Sequence, residues 1–196
     1  MEPGRNMSTL RGTVVLVEGI SDQLAVAALA DRRGRDLESE GVSVLAMGGA
    51  SNIVKYLENL GPHGRNVRVA GLCDAAEEGI FRRGLERAGL GSSLTRTQME
   101  RVGFFVCVED LEDELIRSLG AAAVEQVIDG QGELELFRTL QRQPQWRDRA
   151  HEQQLRRFFG TLRGRKIRSA ALLVDALSLD RVPRPLDRLL DYVNGT

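Results

Sequence analysis

Cysteine, histidine, lysine and tryptophan are all scarce in this chain of 196 residues, and each scarcity removes a class of function. Two cysteines, Cys73 and Cys107, and two histidines, His63 and His151, stand far apart, so no Cys/His zinc cluster of standard spacing can form. Both cysteines lie inside apolar runs, which marks them as buried free thiols rather than a disulfide. Of 27 basic residues only Lys55 and Lys166 are lysines, so a role that needs an amine has two candidates. The one tryptophan, Trp146 beside Pro144, reads as a packing anchor rather than a base-stacking platform. No apolar run approaches the roughly 20 residues that span a bilayer, and the polar segment 1–11 has no signal-peptide core. A cytoplasmic protein with no membrane partner is the expectation. Gly-x-x-x-x-Gly-Lys-Ser/Thr is also missing, so nothing resembles a Walker A nucleotide loop.

What is present is enough apolar residue for a proper core, 42% of the chain, at a length that suits one domain with or without a helical extension. Net charge is only −1, yet between Arg138 and Arg168 ten basic residues face two acids, Asp148 and Glu152. The remainder is correspondingly acidic. Such a segment is either a solvated helix face or a surface for a polyanion.

The most informative stretch is Thr13-Val14-Val15-Leu16-Val17-Glu18-Gly19-Ile20-Ser21-Asp22, followed by the amphipathic run from Gln23 to Leu29. It reads as strand, tight turn and helix, with Ser21 or Asp22 as the N-cap. Glu18 then stands at the carboxyl end of a buried strand, the edge at which open α/β sheets bind ligands. Asp22 either caps the helix or shares a cation with Glu18. A second strand, Val42 to Met47, leads through Gly48-Gly49 into a helix from Ile53 to Leu60; the glycine pair is either a plain turn or a phosphate cradle at a helix start.

A third strand, Val67 to Cys73, ends on Asp74 and continues through Ala75-Ala76-Glu77-Glu78-Gly79 into a helix. Thr95 followed by Gln98 matches a capping box for a short helix. A fourth strand, Phe104 to Val108, ends in Glu109-Asp110-Leu111-Glu112-Asp113-Glu114. Strands alternating with helices imply parallel crossovers, so three acid-tipped strand ends share one edge. Clustered carboxylates repel unless a cation neutralises them, and an all-oxygen set favours Mg²⁺ or Mn²⁺. From residue 121 onward the chain reads as helices, near 121–129, 132–142, 149–159, 166–179 and 185–193.

With these residues in view, the chain resembles a TOPRIM domain, the catalytic fold of topoisomerases, DnaG-type primases and nucleases of the OLD (overcoming lysogenisation defect) family. Val14 to Asp22 is similar to its Glu-Gly motif, Gly71 to Gly79 to its Asp-x-Asp-x-x-Gly motif, and Asp110-Leu111-Glu112 to the acidic third motif of OLD nucleases. The resemblance implies a four-stranded, mainly parallel Rossmann-like α/β sheet flanked by helices over residues 12–120. A flexible N-terminus at 1–11 would precede it, and a basic helical region at 121–196 would follow.

It also implies a two-metal phosphodiester site using Mg²⁺ or Mn²⁺. Glu18 and Asp22 would hold one cation, and Asp74, Asp110 and Glu112 the other, with Glu18 a ligand or general acid/base. Lys166 looks like the tail lysine that neutralises transition-state charge. Arg156, Arg157, Arg163, Arg165 and Arg168 would hold the nucleic-acid backbone, DNA foremost. One departure stands out: Ala76 replaces the family's second Asp, and Glu77 is the neighbour that could substitute as a ligand. The other departure is the missing ATPase, so the functional expectations are three. The chain is a stand-alone OLD-like nuclease, a degenerate module that binds nucleic acid or docks on a separate ATPase, or an enzyme of a different Mg²⁺-dependent phosphoryl transfer on the same fold, such as primer synthesis.

Overall fold

The computed structural model describes residues 12–161 and 163–194, so the expected flexible segment 1–11 lies outside the described residues. Four short strands form the sheet: β1 (Thr13–Val17), β2 (Val42–Ala46), β3 (Arg68–Cys73) and β4 (Phe104–Val106). Their order is β2-β1-β3-β4, and every neighbouring pair is parallel. Residues Val14 to Val17 have no solvent exposure, which is why this strand is an unbroken apolar run rather than an alternating one.

Helices cover both faces. On one lie α1 (Ile20–Arg32), α5 (Leu111–Leu119), α6 (Ala121–Gly130), α7 (Leu134–Gln141), α8 (His151–Gly160), α9 (Arg163–Ala176) and α10 (Arg184–Val193); on the other lie α2 (Ile53–Leu60), α3 (Glu78–Arg87) and α4 (Arg96–Arg101). Two apolar cores result. One joins Val15, Val17, Val26 and Leu29 to Leu115, Phe158, Val174 and Leu190; the other joins Val14, Leu16, Ile53 and Leu57 to Phe81, Leu85, Met99 and Phe104. The alternation of β1 is therefore real, but both of its faces are apolar because both are covered. The helical C-terminal region does not stand apart, since α9 packs on α1 and α10 lies against β3 and β4. Among the described residues, no helix is long and apolar enough to cross a membrane.

Chain order at the sheet centre positions the site. From β1 the chain leaves through α1 to β2 on one side, while from β3 it leaves through α3 to β4 on the other; α1 and α3 cover opposite faces. The ends of β1 and β3 thus diverge and open a crevice, the topological switch point of this sheet. Glu18 and Asp74 are the residues immediately after those two strands.

The expected capping box is present at α4: Thr95 is the N-cap, and its Oγ1 accepts the Gln98 backbone N–H at 3.3 Å while the Gln98 side-chain Oε1 accepts the Thr95 N–H at 2.8 Å. The N-cap of α1 differs from expectation. It is Gly19, in extended geometry, and Asp22 sits three residues inside the helix, accepting the Gly19 N–H at 2.9 Å. A glycine needs no side chain to cap when a carboxylate at the third position reaches back.

Candidate metal centre

Four of the acids converge. Glu18, Asp22, Asp74 and Asp110 line one open cavity of about 180 Å³, together with Gly19, Ile20, Ser21, Leu111 and Ile167. A single water needs only ~10–15 Å³, so the space accommodates a hydrated cation and part of a phosphate. Sheet geometry brings them there. The Ala75 N–H donates to the Glu109 carbonyl at 2.9 Å and the Cys107 N–H to the Cys73 carbonyl at 2.9 Å, so β3 and β4 remain in register past their formal ends and set Asp74 near Asp110.

Two helix starts hold the charge. Asp22 is in the first turn of α1, and Asp110 is the N-cap of α5, where its Oδ1 accepts the Asp113 N–H at 2.7 Å. Positive helix ends stabilise such carboxylates by about 0.3–1 kcal/mol each at exposed sites, which offsets part of their mutual repulsion. A side chain from α8 adds more: the Arg156 guanidinium reaches Asp110 Oδ2 at 3.1 Å and Asp113 Oδ1 at 3.4 Å.

Among the described residues, the side-chain donors on the cavity wall are the four carboxylates and the Ser21 hydroxyl, with neither sulfur nor imidazole, a set that fits a hard divalent cation. Among the described residues, no three such side chains already surround a single point. The acids share a cavity, and drawing them onto an ion requires rotation of side chains that are engaged elsewhere, Asp22 with Gly19 and Asp110 with Arg156.

The remaining expected residues separate. Glu112 lines a much smaller neighbouring cavity between α1, α5 and α9, with Leu115, Ser169 and Leu173, and Ser21, Asp22 and Leu111 border both spaces. Glu77 is not among the residues that line the large cavity, and Glu78 is paired with Arg96. Ala76 is exposed in the 3₁₀ turn Ala75–Glu77 that separates Asp74 from α3. Lys166 falls in the first turn of α9, and its neighbour Ile167 reaches the cavity; the side chains of Lys166 and Arg163 lie outside what is described.

The glycine pair holds the site rather than a phosphate. The N–H groups of Gly48 and Gly49 both donate to the Glu18 carbonyl, at 3.0 and 3.2 Å, which fixes the backbone that carries the Glu18 side chain.

The arginines also divide. Arg157 and Arg168 are exposed, whereas Arg165 is only 5% exposed: its Nε donates to Glu133 at 2.7 Å, its Nη1 to the Phe158 carbonyl at 3.0 Å, and its Cζ lies 4.0 Å from the centre of the Phe158 ring. Arg165 therefore braces α9 against α7 and α8 and presents nothing to a nucleic acid. Trp146 is half-buried against the core with Arg157 over its ring, as a packing anchor should be. Burial pushes the thiols of Cys73 and Cys107 far up, so both remain neutral and outside the chemistry.

The family model described as "Overcoming lysogenization defect protein-like, TOPRIM domain" matches residues 12–75, the stretch that supplies Glu18, Asp22 and Asp74. Solved structures extend the likeness over nearly the whole chain. The C-terminal region of the Xanthomonas campestris pv. campestris OLD protein is 26% identical, with a TM-score of 0.72, over 94% of this chain and 95% of that one. The C-terminal region of the Burkholderia pseudomallei OLD protein is 22% identical, with a TM-score of 0.72, over 92% and 96%, and shows the shared fold. Comparison with curated proteins gives no match.

Proposed function

With an OLD-like TOPRIM segment at residues 12–75 and the fold of OLD C-terminal regions as premises, we propose that this protein hydrolyses nucleic-acid phosphodiesters with divalent cations. The observation that carries this reading is the meeting of Glu18, Asp22, Asp74 and Asp110 on one cavity at the switch point of the sheet. TOPRIM domains generally bind divalent metals, and those of OLD proteins act on nucleic acid beside an ATPase domain. Glu18 and Asp22 would hold one Mg²⁺ or Mn²⁺, and Asp74 and Asp110 the second, with Glu112 on the neighbouring smaller cavity. When bound, such a pair activates water and stabilises the attacking and leaving oxygens of an in-line displacement.

The protein's own groups do the rest. The Glu18 backbone, clamped by Gly48 and Gly49, keeps its carboxylate at the crevice. Lys166 would counter charge developing on the phosphate, with its backbone placed in the α9 turn that reaches the cavity. Exposed Arg157 and Arg168 would hold the substrate backbone without reading bases.

A second reading has its own support. Ala76 brings no oxygen, Glu77 lines no part of the large cavity, and Asp110 is already paired with Arg156. Under that reading the chain is a non-catalytic module that binds nucleic acid or docks on a separate ATPase.

Incubation of purified protein with supercoiled and linear DNA, with Mg²⁺, Mn²⁺ or EDTA, distinguishes the two. Metal-dependent cleavage that disappears in Glu18→Gln is the expected result. Equal cleavage by Glu18→Gln, or no divalent cation bound at millimolar concentration, overturns the enzyme reading.

A further inference from the structure

Both oxygens of Asp110 are engaged: Oδ1 accepts the Asp113 N–H at 2.7 Å and Oδ2 faces Arg156 Nη2 at 3.1 Å. The second contact differs in kind from the first, because it joins side chains 46 residues apart and is made by a group that is about one-third exposed. Arg156 also has a second anchor. Its Nη1 is 3.4 Å from Asp113 Oδ1, and Asp113 is itself 7% exposed and fixed by Arg117 Nε at 2.7 Å. The Asp113 carboxylate thus has a hold of its own besides Arg156.

Asp110 lies on the carboxylate cavity, so a cation bound there would compete with Arg156 for the same carboxylate, and the two positive charges repel. On the metal reading above, we propose that Arg156 is a displaceable counter-ion. In the cation-free protein it neutralises Asp110. When a cation takes Asp110, Arg156 lets go, pivots on Asp113, and its freed fork binds a phosphate of the nucleic acid. A guanidinium suits both partners, since it pairs with carboxylate and phosphate in the same planar geometry.

The coupling has a sign. A group that leaves Asp110 for a phosphate makes cation and nucleic acid promote each other's binding, by reciprocal linkage. An arginine that simply oriented Asp110 would instead aid cation binding, and its loss would weaken it.

Calorimetric titration of the metal-free protein with Mn²⁺, for the parent, Arg156→Gln and Arg156→Lys, separates these outcomes. Arg156→Gln is expected to bind Mn²⁺ about fivefold more tightly, the scale set by one partly exposed ion pair, and to lose the cation-dependent gain in affinity for a short DNA duplex. Arg156→Lys, which keeps the charge without the fork, should shift in the same direction by about twofold; it serves as the test should the Gln variant fail to fold. Unchanged or weaker Mn²⁺ binding in the variants overturns the counter-ion role and leaves the nuclease reading standing. Absence of Mn²⁺ binding in parent and variants alike overturns both.

Discussion

Gly71 lies at the point where three strands are in register, opposite Leu16 of β1 and Phe104 of β4, and three residues before Asp74. A Cβ built there would meet two ring carbons of Phe104 at 2.7 and 2.8 Å and the Leu16 carbonyl oxygen at 2.8 Å. None of these can easily retreat. The Phe104 ring is fully buried and packs edge-on against Phe81 at 6.3 Å, while the carbonyl belongs to the central strand. Overpacking of this kind costs ~1–3 kcal/mol, and two rigid neighbours place Gly71→Ala near the upper end. Reduced freedom of the unfolded chain returns ~0.4–1 kcal/mol, leaving a net loss of about 2 kcal/mol. At ~2–4 °C per kcal/mol for a chain of this size, the melting temperature should fall by about 4–8 °C, or the urea midpoint by the equivalent amount. Because β3 must move against β1, Asp74 moves relative to Glu18, and Mn²⁺ affinity should fall in the same variant. Adding Phe104→Leu removes the ring contacts but not the carbonyl contact, so the double variant should be more stable than the sum of the two single losses implies. A Gly71→Ala protein that melts within about 1 °C of the parent refutes the close-approach argument.

On DNA, Arg157→Gln and Arg168→Gln should each reduce the slope of log affinity against log salt by about 1, as loss of one phosphate contact does; a slope unchanged in both assigns binding to another face. Arg165→Gln should leave that slope alone and instead destabilise the fold by about 2 kcal/mol in urea, because it removes the nearer of the two arginines on Glu133 and the guanidinium bond to the Phe158 carbonyl. The Glu125 carboxyl is held below the usual range by the Arg138 guanidinium, which donates to it at 2.8 Å, with His151 as a second partner. A depressed carboxyl contributes stability above its unfolded value and loses it as the pH falls through the folded one. The stability gap between parent and Glu125→Gln should therefore be present at neutral pH and close as the pH falls below about 4.5; a gap that persists in acid assigns it to packing.

Sequence by itself determined the features governed by near neighbours along the chain. Apolar runs that end on Glu18, Asp74 and the Glu109-Asp110 pair, the Thr95–Gln98 capping box and the helical series after Gly120 are all local patterns, and alternation of strands with helices was enough to require a parallel sheet with its acids on one edge. Tertiary structure decided which polar groups remain available. The glycine pair looked open to a phosphate until the β1–β2 pairing placed the Glu18 carbonyl against both N–H groups. In sequence Asp22 and Glu112 read as ligands of different ions, yet the packing of α1 on α9 places Asp22, with Ser21 and Leu111, between two cavities and puts Glu112 on the smaller one. Arg156, Arg157, Arg165 and Arg168 are indistinguishable as a basic run. Helix rotation turns Arg165 into the core, aims Arg156 at Asp110 and leaves Arg157 and Arg168 outside. The physical reason is range: turns, caps and strand ends are fixed within a few residues, whereas an ion pair between positions 110 and 156 exists only once two helices have chosen the faces they bury.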